Sequence, residues 1–320
     1  MVIKAFKTLS SLRKNQIASL EAEAAKADGV PYPLFSDTFL NYTKEVPAFF
    51  FATSGNRALG VLSLFLPGDG TAEISALVSP SYRNKGLFSA LLCEAAKSLK
   101  TLGCETVFIV SDPKIKIGGT VLKHLPVKYS SSEYKMILPD AAYPLQNASP
   151  SVQGKSASCP LKSKSPSVKG KSAAGTGKSS AASGNGPVLT PILHKDYLSL
   201  TSLFSGLFDI DEKAAKTWLL SLSSSEKVRL FKYEADGTLI GCAGFVENEN
   251  SCSVFSVGIR KEYRGKGLGK NLMLGLLKKI PAGKAVILQV SDKNPVAFSL
   301  YGKLGFAIES TTVYHVLERF

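Results

Sequence analysis

Apolar and polar positions along the chain follow two periods, near two and near 3.6 residues, and the switches between them mark the elements. In the first half, helical spacing covers 11–27 and 86–101. Extended runs rich in β-branched and aromatic residues cover 47–53, 58–66, 72–78, 105–111 and 132–138. In the second half the pattern predicts a strand at 188–193, helices at 195–207 and 211–221, and strands at 228–234, 238–246 and 252–259. A helix at 267–280, a strand at 284–290, a helix at 295–303 and strands within 305–318 complete it. This alternation predicts a mixed sheet flanked by helices, an α+β layer architecture.

The two halves share more than their element order. YRNKGL at 82–87 matches YRGKGL at 263–268 with one difference, at an offset of 181, and each is followed by an amphipathic helical run. TVFIVSD at 106–112 aligns with VILQVSD at 286–292 at an offset of 180. The chain therefore reads as a tandem repeat.

The most informative stretch is 254–277, VFSVGIRKEYRGKGLGKNLMLGLL. A buried strand ends at Ile259, Gly265, Gly267 and Gly269 follow within a basic turn, and apolar residues resume at Leu268, Leu272, Leu276 and Ile280 with helical spacing. Such a turn aims unpaired backbone N–H groups and the positive end of a helix dipole at one place, which suits a phosphate or diphosphate. Arg264, Lys266 and Lys270 add positive charge. The third glycine comes one residue too early for the G-x-G-x-x-G fingerprint of dinucleotide-binding folds.

The string R-x-x-G-x-G over Arg264–Gly269 resembles the acetyl-CoA diphosphate loop of the GNAT N-acetyltransferase superfamily. Downstream, Asn294, Ala297, Leu300, Tyr301, Gly305 and Phe306 are in register with that superfamily's N-x-x-A-x-x-L-Y-x-x-x-G-F signature. Asn294 also suits a helix cap, Pro295 a first helical position and Gly305 a helix stop. Two motifs in this order are far more specific than either alone.

The resemblance implies two tandem GNAT-like folds, an acyl-CoA-dependent N-acyltransferase activity and acetyl-CoA as co-substrate, with no metal. It implies that backbone groups of Val257 and Ile259 pair with the pantetheine arm. Amides from Gly265 through Lys266, Gly267, Leu268 and Gly269 to Lys270 would take the diphosphate together with Arg264, and Asn294 would contact the cofactor. A strand amide near Ile259 would serve the tetrahedral oxyanion. Tyr301 is the expected general acid, since a phenol near pKa ~10 stays protonated at neutral pH and can reprotonate a thiolate near ~8.5. No carboxylate stands on the strand entering the loop, where Ser253 occupies the approximate position of a base. Glu247, Glu249 and Asp292 are the nearest acids in sequence, and His315 lies on the last strand.

The first copy departs from the pattern. Phe88 stands where Gly269 stands in the second, Lys114 falls opposite Asn294 and Val121 opposite Tyr301. It is expected to be a degenerate, non-catalytic copy with a structural or substrate-shaping role, coenzyme A contacts through Arg83 and Gly86 being left open. The expected division is residues 1–140 for this domain, 141–187 for a linker and 188–320 for the catalytic domain.

Composition trims the alternatives. At 320 residues the chain is long enough for two domains with real cores. The net charge is +14, but 141–187 holds six lysines, no acid and almost no large apolar residues. That segment cannot bury enough surface to order itself and is expected to be a disordered linker. Within it SPSVQGKSA at 149 recurs as SPSVKGKSA at 165, and an anionic partner for its lysines is a minority reading. Tyr143, at the edge, is the one aromatic among those lysines, so base stacking has little support and a nucleic-acid partner is not expected. Five cysteines without a C-x-x-C pair and three scattered histidines favour neither a disulfide framework, a zinc site nor a Ser-His-Asp triad. No apolar window approaches the roughly 20 residues of a membrane span and no signal-peptide pattern opens the sequence, so a cytoplasmic protein is expected. The acceptor would be a primary amine on a small molecule or peptide. The competing function is a coenzyme A-binding sensor or interaction module without turnover.

Overall fold

The computed structural model describes all residues except 1, 32–33, 35–40, 42, 68–69, 141–185 and 319–320, so the linker lies almost wholly outside the described residues. In chain order the elements are β1 (Val2–Phe6), α1 (Ser11–Asp28), β2 (Phe49–Ser54), β3 (Arg57–Phe65), β4 (Thr71–Val78), α2 (Leu87–Leu102), β5 (Thr106–Ser111), α3 (Lys116–Leu122) and β6 (Val127–Leu138). The second half supplies β7 (Val188–Pro191), α4 (Thr201–Phe208), α5 (Glu212–Ser223), β8 (Val228–Ala235), β9 (Thr238–Glu247) and β10 (Ser251–Ile259). Then come α6 (Leu268–Leu277), β11 (Ala285–Ser291), α7 (Pro295–Lys303) and β12 (Ala307–Leu317). These are two tandem GNAT-like folds of mixed sheet and flanking helices, as the α+β reading expects.

Contacts divide the chain into two compact units. The first is Met1–Ile137 with Gln289–Gly302 and Phe306–Phe320, and the second is Leu138–Leu288 with Lys303–Gly305. In the first the strand order is β1-β2-β3-β4-β5-β12-β6, antiparallel except for the parallel pair β4/β5. Phe49, Phe50 and Phe51 are at most 2% exposed, the continuous apolar run of a strand covered on both faces. Leu87, Leu91, Ala95 and Leu99 form the buried stripe of α2. Ser10 caps α1 by accepting the Arg13 amide, and Gly29 ends it in the left-handed conformation at φ +71°.

β12 comes from the far end of the chain yet lies between β5 and β6. It pairs with β5 from Val313↔Ser111 to Val316↔Phe108 and with β6 from Ala307↔Ile137 to Leu317↔Val127. In the second unit the order is β11-β10-β9-β8-β7, with β10/β11 the parallel pair. Its helices α4 and α5 cover a core of Tyr197, Leu203, Phe204, Ala215, Leu219, Leu230 and Cys242.

Three elements differ from the pattern-based expectation. The helix expected at 195–207 is a 3₁₀ segment over His194–Leu200 before α4 begins. There Ser199 Oγ donates to Asp196 O and Thr201 Oγ1 to Leu198 O, local bonds that compete with regular helix. β1 is not expected, because five mostly exposed residues at a sheet edge carry little alternation. Nor is α3, whose seven residues include Gly118 and Gly119, poor helix formers.

Truncation after Gly305 removes β12 and strips both β5 and β6 of a partner. Amide hydrogen exchange of 106–111 and 127–137 should then accelerate on the order of a hundredfold or more, while the β8/β9 ladder keeps its protection. Unchanged exchange at 106–111 would count against β12 as a required strand.

Candidate functional site

In the second unit β10 enters the glycine turn through an irregularity. Its antiparallel register with β9 runs to Phe255↔Gly244 and resumes at Gly258↔Cys242, so Ser256 and Val257 oppose Ala243 alone. That is a β-bulge, and Ser256 adopts φ +53°, rare for a non-glycine residue. Two contacts fix it. A β-carbon on Gly241 would collide with the Gly258 carbonyl oxygen, so only glycine permits the approach. The Cys242 thiol, pushed up in pKa by burial and so kept protonated, donates to Ser256 O at 3.4 Å.

The parallel ladder with β11 holds only from Ser251↔Ala285 to Ser253↔Ile287, although β10 continues to Ile259. Beyond Ser253 the strands part, and the backbone of Val257 lies outside both ladders. The Ser256 hydroxyl there is enclosed and has no hydrogen-bond partner among the described residues. Unpaired backbone and an orphaned hydroxyl at a strand fork fit an extended ligand that would add as a strand.

After Ile259 the chain makes a short 3₁₀ turn, Lys261–Tyr263, and then the glycine loop. Gly265 and Gly267 lie at φ +78° and +75°, and Gly267 caps α6 with no side-chain bond. Among the described residues the amides from Gly265 to Gly269 find no backbone acceptor, whereas those of Lys270 and Asn271 donate back to Gly267 O. Arg264 Nε donates to Ile259 O at 2.8 Å, which ties the two ends of the turn together and occupies that carbonyl. Lys266 Nζ stands 5.5 Å from the centre of the Tyr263 ring. The loop thus carries three cations and a helix N-terminus around free amides, a fitting cradle for a diphosphate.

Tyr301 lies on α7 and Asn294 immediately precedes that helix, both within the first unit. Asn294 Oδ1 accepts the Ala297 amide at 3.1 Å, so the side chain caps the helix, the structural half of the dual role expected for it. Tyr301 is 7% exposed and its ring meets Phe306 at 5.9 Å. Burial pushes its phenol up to about 12.

Of the acids named from the sequence, Glu249 is exposed and the other two are engaged. Glu247 accepts from Lys284 Nζ at 2.7 Å, and that hydrogen bond and charge hold its carboxyl below the usual range. Asp292 accepts from the Tyr129 hydroxyl, and its own amide donates to Ser132 O. His315 is pulled down by burial, with Nδ1 enclosed and unpartnered among the described residues. The sequence reading missed the bulge and Cys242 beneath it. The available signal was Gly258, a lone glycine inside a strand pattern.

Comparison with known proteins bears on the family. The model of the acetyltransferase (GNAT) family matches residues 15–115 and again 197–306. A mycothiol acetyltransferase of Streptomyces avermitilis is 31% identical over 114 residues, 34% of this chain and 35% of that protein. A spermidine N(1)-acetyltransferase of Thermoplasma acidophilum is 36% identical over 80 residues, 24% of this chain and 49% of that protein. The chain thus spans from about a third to a half of these curated relatives. Among solved structures, a GCN5-related N-acetyltransferase from Sphaerobacter thermophilus superposes with a TM-score of 0.69 at 15% identity, covering 98% of this chain and 94% of the other. A tandem GNAT protein from the clavulanic acid biosynthesis pathway gives 0.62 at 16% identity, with 98% of each chain covered. The family match takes in both glycine loops and more than half of the 320 residues, and so the chain belongs to the acetyltransferase (GNAT) family.

Proposed function

We propose that the chain transfers an acetyl group from acetyl-CoA to a primary amine of a small molecule or peptide, with residues 188–320 carrying catalysis, 1–140 a degenerate copy and 141–187 a linker. The observation that carries this reading is the fork of β10 and β11 above a loop of unpaired amides. Val257 and Ile259 would hold the pantetheine arm through their backbone, Ile259 through its amide since its carbonyl accepts from Arg264. The amides of Gly265, Lys266, Gly267, Leu268 and Gly269 would hold the diphosphate, Lys270 would contribute through its side chain since its amide donates to Gly267 O, and Arg264 would brace the turn. The amine nitrogen attacks the thioester carbonyl, the C–S bond breaks, and Tyr301 gives its proton to the departing thiolate. A phenol near 12 is fully protonated at neutral pH, so the proton is in place when the thiolate departs.

No free carboxylate on β10 is available as base, so the amine's proton is assigned to solvent. The spermidine N(1)-acetyltransferase relative supports an amine acceptor without identifying it. The rival reading, a coenzyme A-binding module without turnover, is favoured by none of these observations and is separated by the same assay.

Thiol release from acetyl-CoA, followed against a panel of amines, polyamines, amino acids and peptide N-termini, tests the reading. Tyr301→Phe is expected to lower kcat by about 10²-fold or more with little change in coenzyme A affinity, and full turnover in that variant would remove Tyr301 from its role. Gly267→Val forces a β-branched residue to φ +75° and should weaken coenzyme A binding about tenfold to a hundredfold. Gly86→Val should leave the rate within about twofold. With solvent as base, kcat/KM should rise with pH in step with the free-amine fraction of the acceptor; a plateau well below the acceptor's pKa would point to a protein base instead. Tyr301 also makes a stability prediction. Its folded pKa is raised above the unfolded value, so its contribution is complete below about 10 and is lost as pH climbs through about 12. The unfolding free energy should fall by about 3 kcal/mol across that window, and Tyr301→Phe should flatten the slope in denaturant titrations.

A further inference from the structure

The first unit contains a cavity of about 280 Å³ that acetyl transfer does not use. That is close to the lower limit of roughly 300 Å³ for small-molecule sites. It lies where β4 and β5 part. Their parallel ladder runs from Thr71↔Thr106 to Ile74↔Ile109, and β4 then continues to Val78 without β5. Ala76 and Val78 of β4, Ile109 of β5, Val121 and Leu122 of α3 and the nearby Leu125 give it aliphatic walls.

The adjoining loop keeps the backbone form of its counterpart, with Asn84 at φ +58° and Gly86 at φ +74°. Its electrostatics have changed. Arg83 Nη1 and Nη2 donate to the two carboxylate oxygens of Asp28, each at 2.7 Å, with both side chains only 16% exposed. Arg83 Nε donates to Val78 O at 3.2 Å, as Arg264 does to Ile259 O. The guanidinium is therefore engaged by this chain through all three of its nitrogens, and the pair is neutral as a unit. Lys85 Nζ is turned to Ser81 O at 2.9 Å, and the place of Lys270 is taken by Ser89.

Two further differences oppose a coenzyme. Phe88 packs against the core and lines the cavity at the position of Gly269. β4 also lacks a bulge, since its register with β3 is unbroken from Gly60↔Val78 to Phe65↔Glu73. An anion here would meet the Asp28 carboxylate and a locked arginine, whereas an uncharged apolar body would meet aliphatic walls at no electrostatic cost. Among polar lining groups, Asp112 already accepts the Lys114 amide, while the exposed His124 imidazole has no hydrogen-bond partner among the described residues and can meet one carbonyl or hydroxyl.

We propose that the fork of the first unit is a binding site for a neutral, mainly aliphatic small molecule bearing a single hydrogen-bonding group, and that it does not take coenzyme A. The degenerate copy has exchanged a diphosphate site for an apolar one.

The test uses the full chain and N-phenyl-1-naphthylamine, a neutral apolar fluorophore, alongside calorimetry with coenzyme A. Probe fluorescence should saturate and be displaced by 1-decanol but not by coenzyme A. Ala76→Phe and Val121→Phe, which fill the cavity from two elements, should each weaken the probe at least about tenfold. Coenzyme A should bind at one equivalent per chain in the wild type and in both variants. Displacement of the probe by coenzyme A, or a second coenzyme equivalent that Ala76→Phe abolishes, overturns the proposal. So does unchanged probe affinity in both filled variants. The displacement arm needs only the wild-type protein, so it decides the matter even where a filled variant fails to fold.

Discussion

Every backbone N–H and C=O that leaves water must find a partner, and the candidate site exists because β10 stops meeting that demand internally. Its ladder with β11 ends at Ser253↔Ile287 while the strand runs six residues further. The bulge at Ser256 and Val257 interrupts the pairing with β9 within that stretch. A strand that leaves groups unpaired on both sides is costly unless something else pairs them. The geometry is held by packing: the close approach at Gly241, the Cys242 thiol against Ser256 O and the Arg264 clasp on Ile259 O. The vacant hydrogen bonds are thus a property of a rigid frame, as preorganised recognition requires.

The two copies show how little backbone change separates a charged site from an apolar one. Both have a parallel pair that parts after a few residues, and both have a left-handed glycine opening a helix. The difference lies in side chains. Asp28 at the end of α1 neutralises the arginine of the first loop, and Phe88 fills space that Gly269 leaves open. Fold similarity alone would assign both copies one ligand; the electrostatics of the loops divide them.

Much of this was legible in the sequence. The loop and the α7 signature could be read because their glycines, basic residues and capping Asn294 act locally, through backbone dihedrals and hydrogen bonds a few residues apart. The repeat could be read by self-comparison at offsets of 180 and 181. What escaped depends on distant partners. Alternation over 305–318 announces a strand but not its neighbours, so nothing in AIESTTVYHVL indicated a place between β5 and β6. The Asp28–Arg83 pair spans 55 residues, and the bulge rests on Cys242, fourteen residues from the carbonyl it supports.

The position of β12 has a consequence for how the protein comes into being. Between the end of β6 at Leu138 and the start of β12 at Ala307 the whole second unit must emerge from the ribosome. At translation rates of about 5–20 residues per second this leaves the first sheet missing an interior strand for roughly ten to thirty seconds. During that interval the facing edges of β5 and β6 are open to wrong partners. Nascent chains that have not yet exposed β12 are thus where chaperone engagement should concentrate, and the emergence of that strand is the event that closes the first sheet.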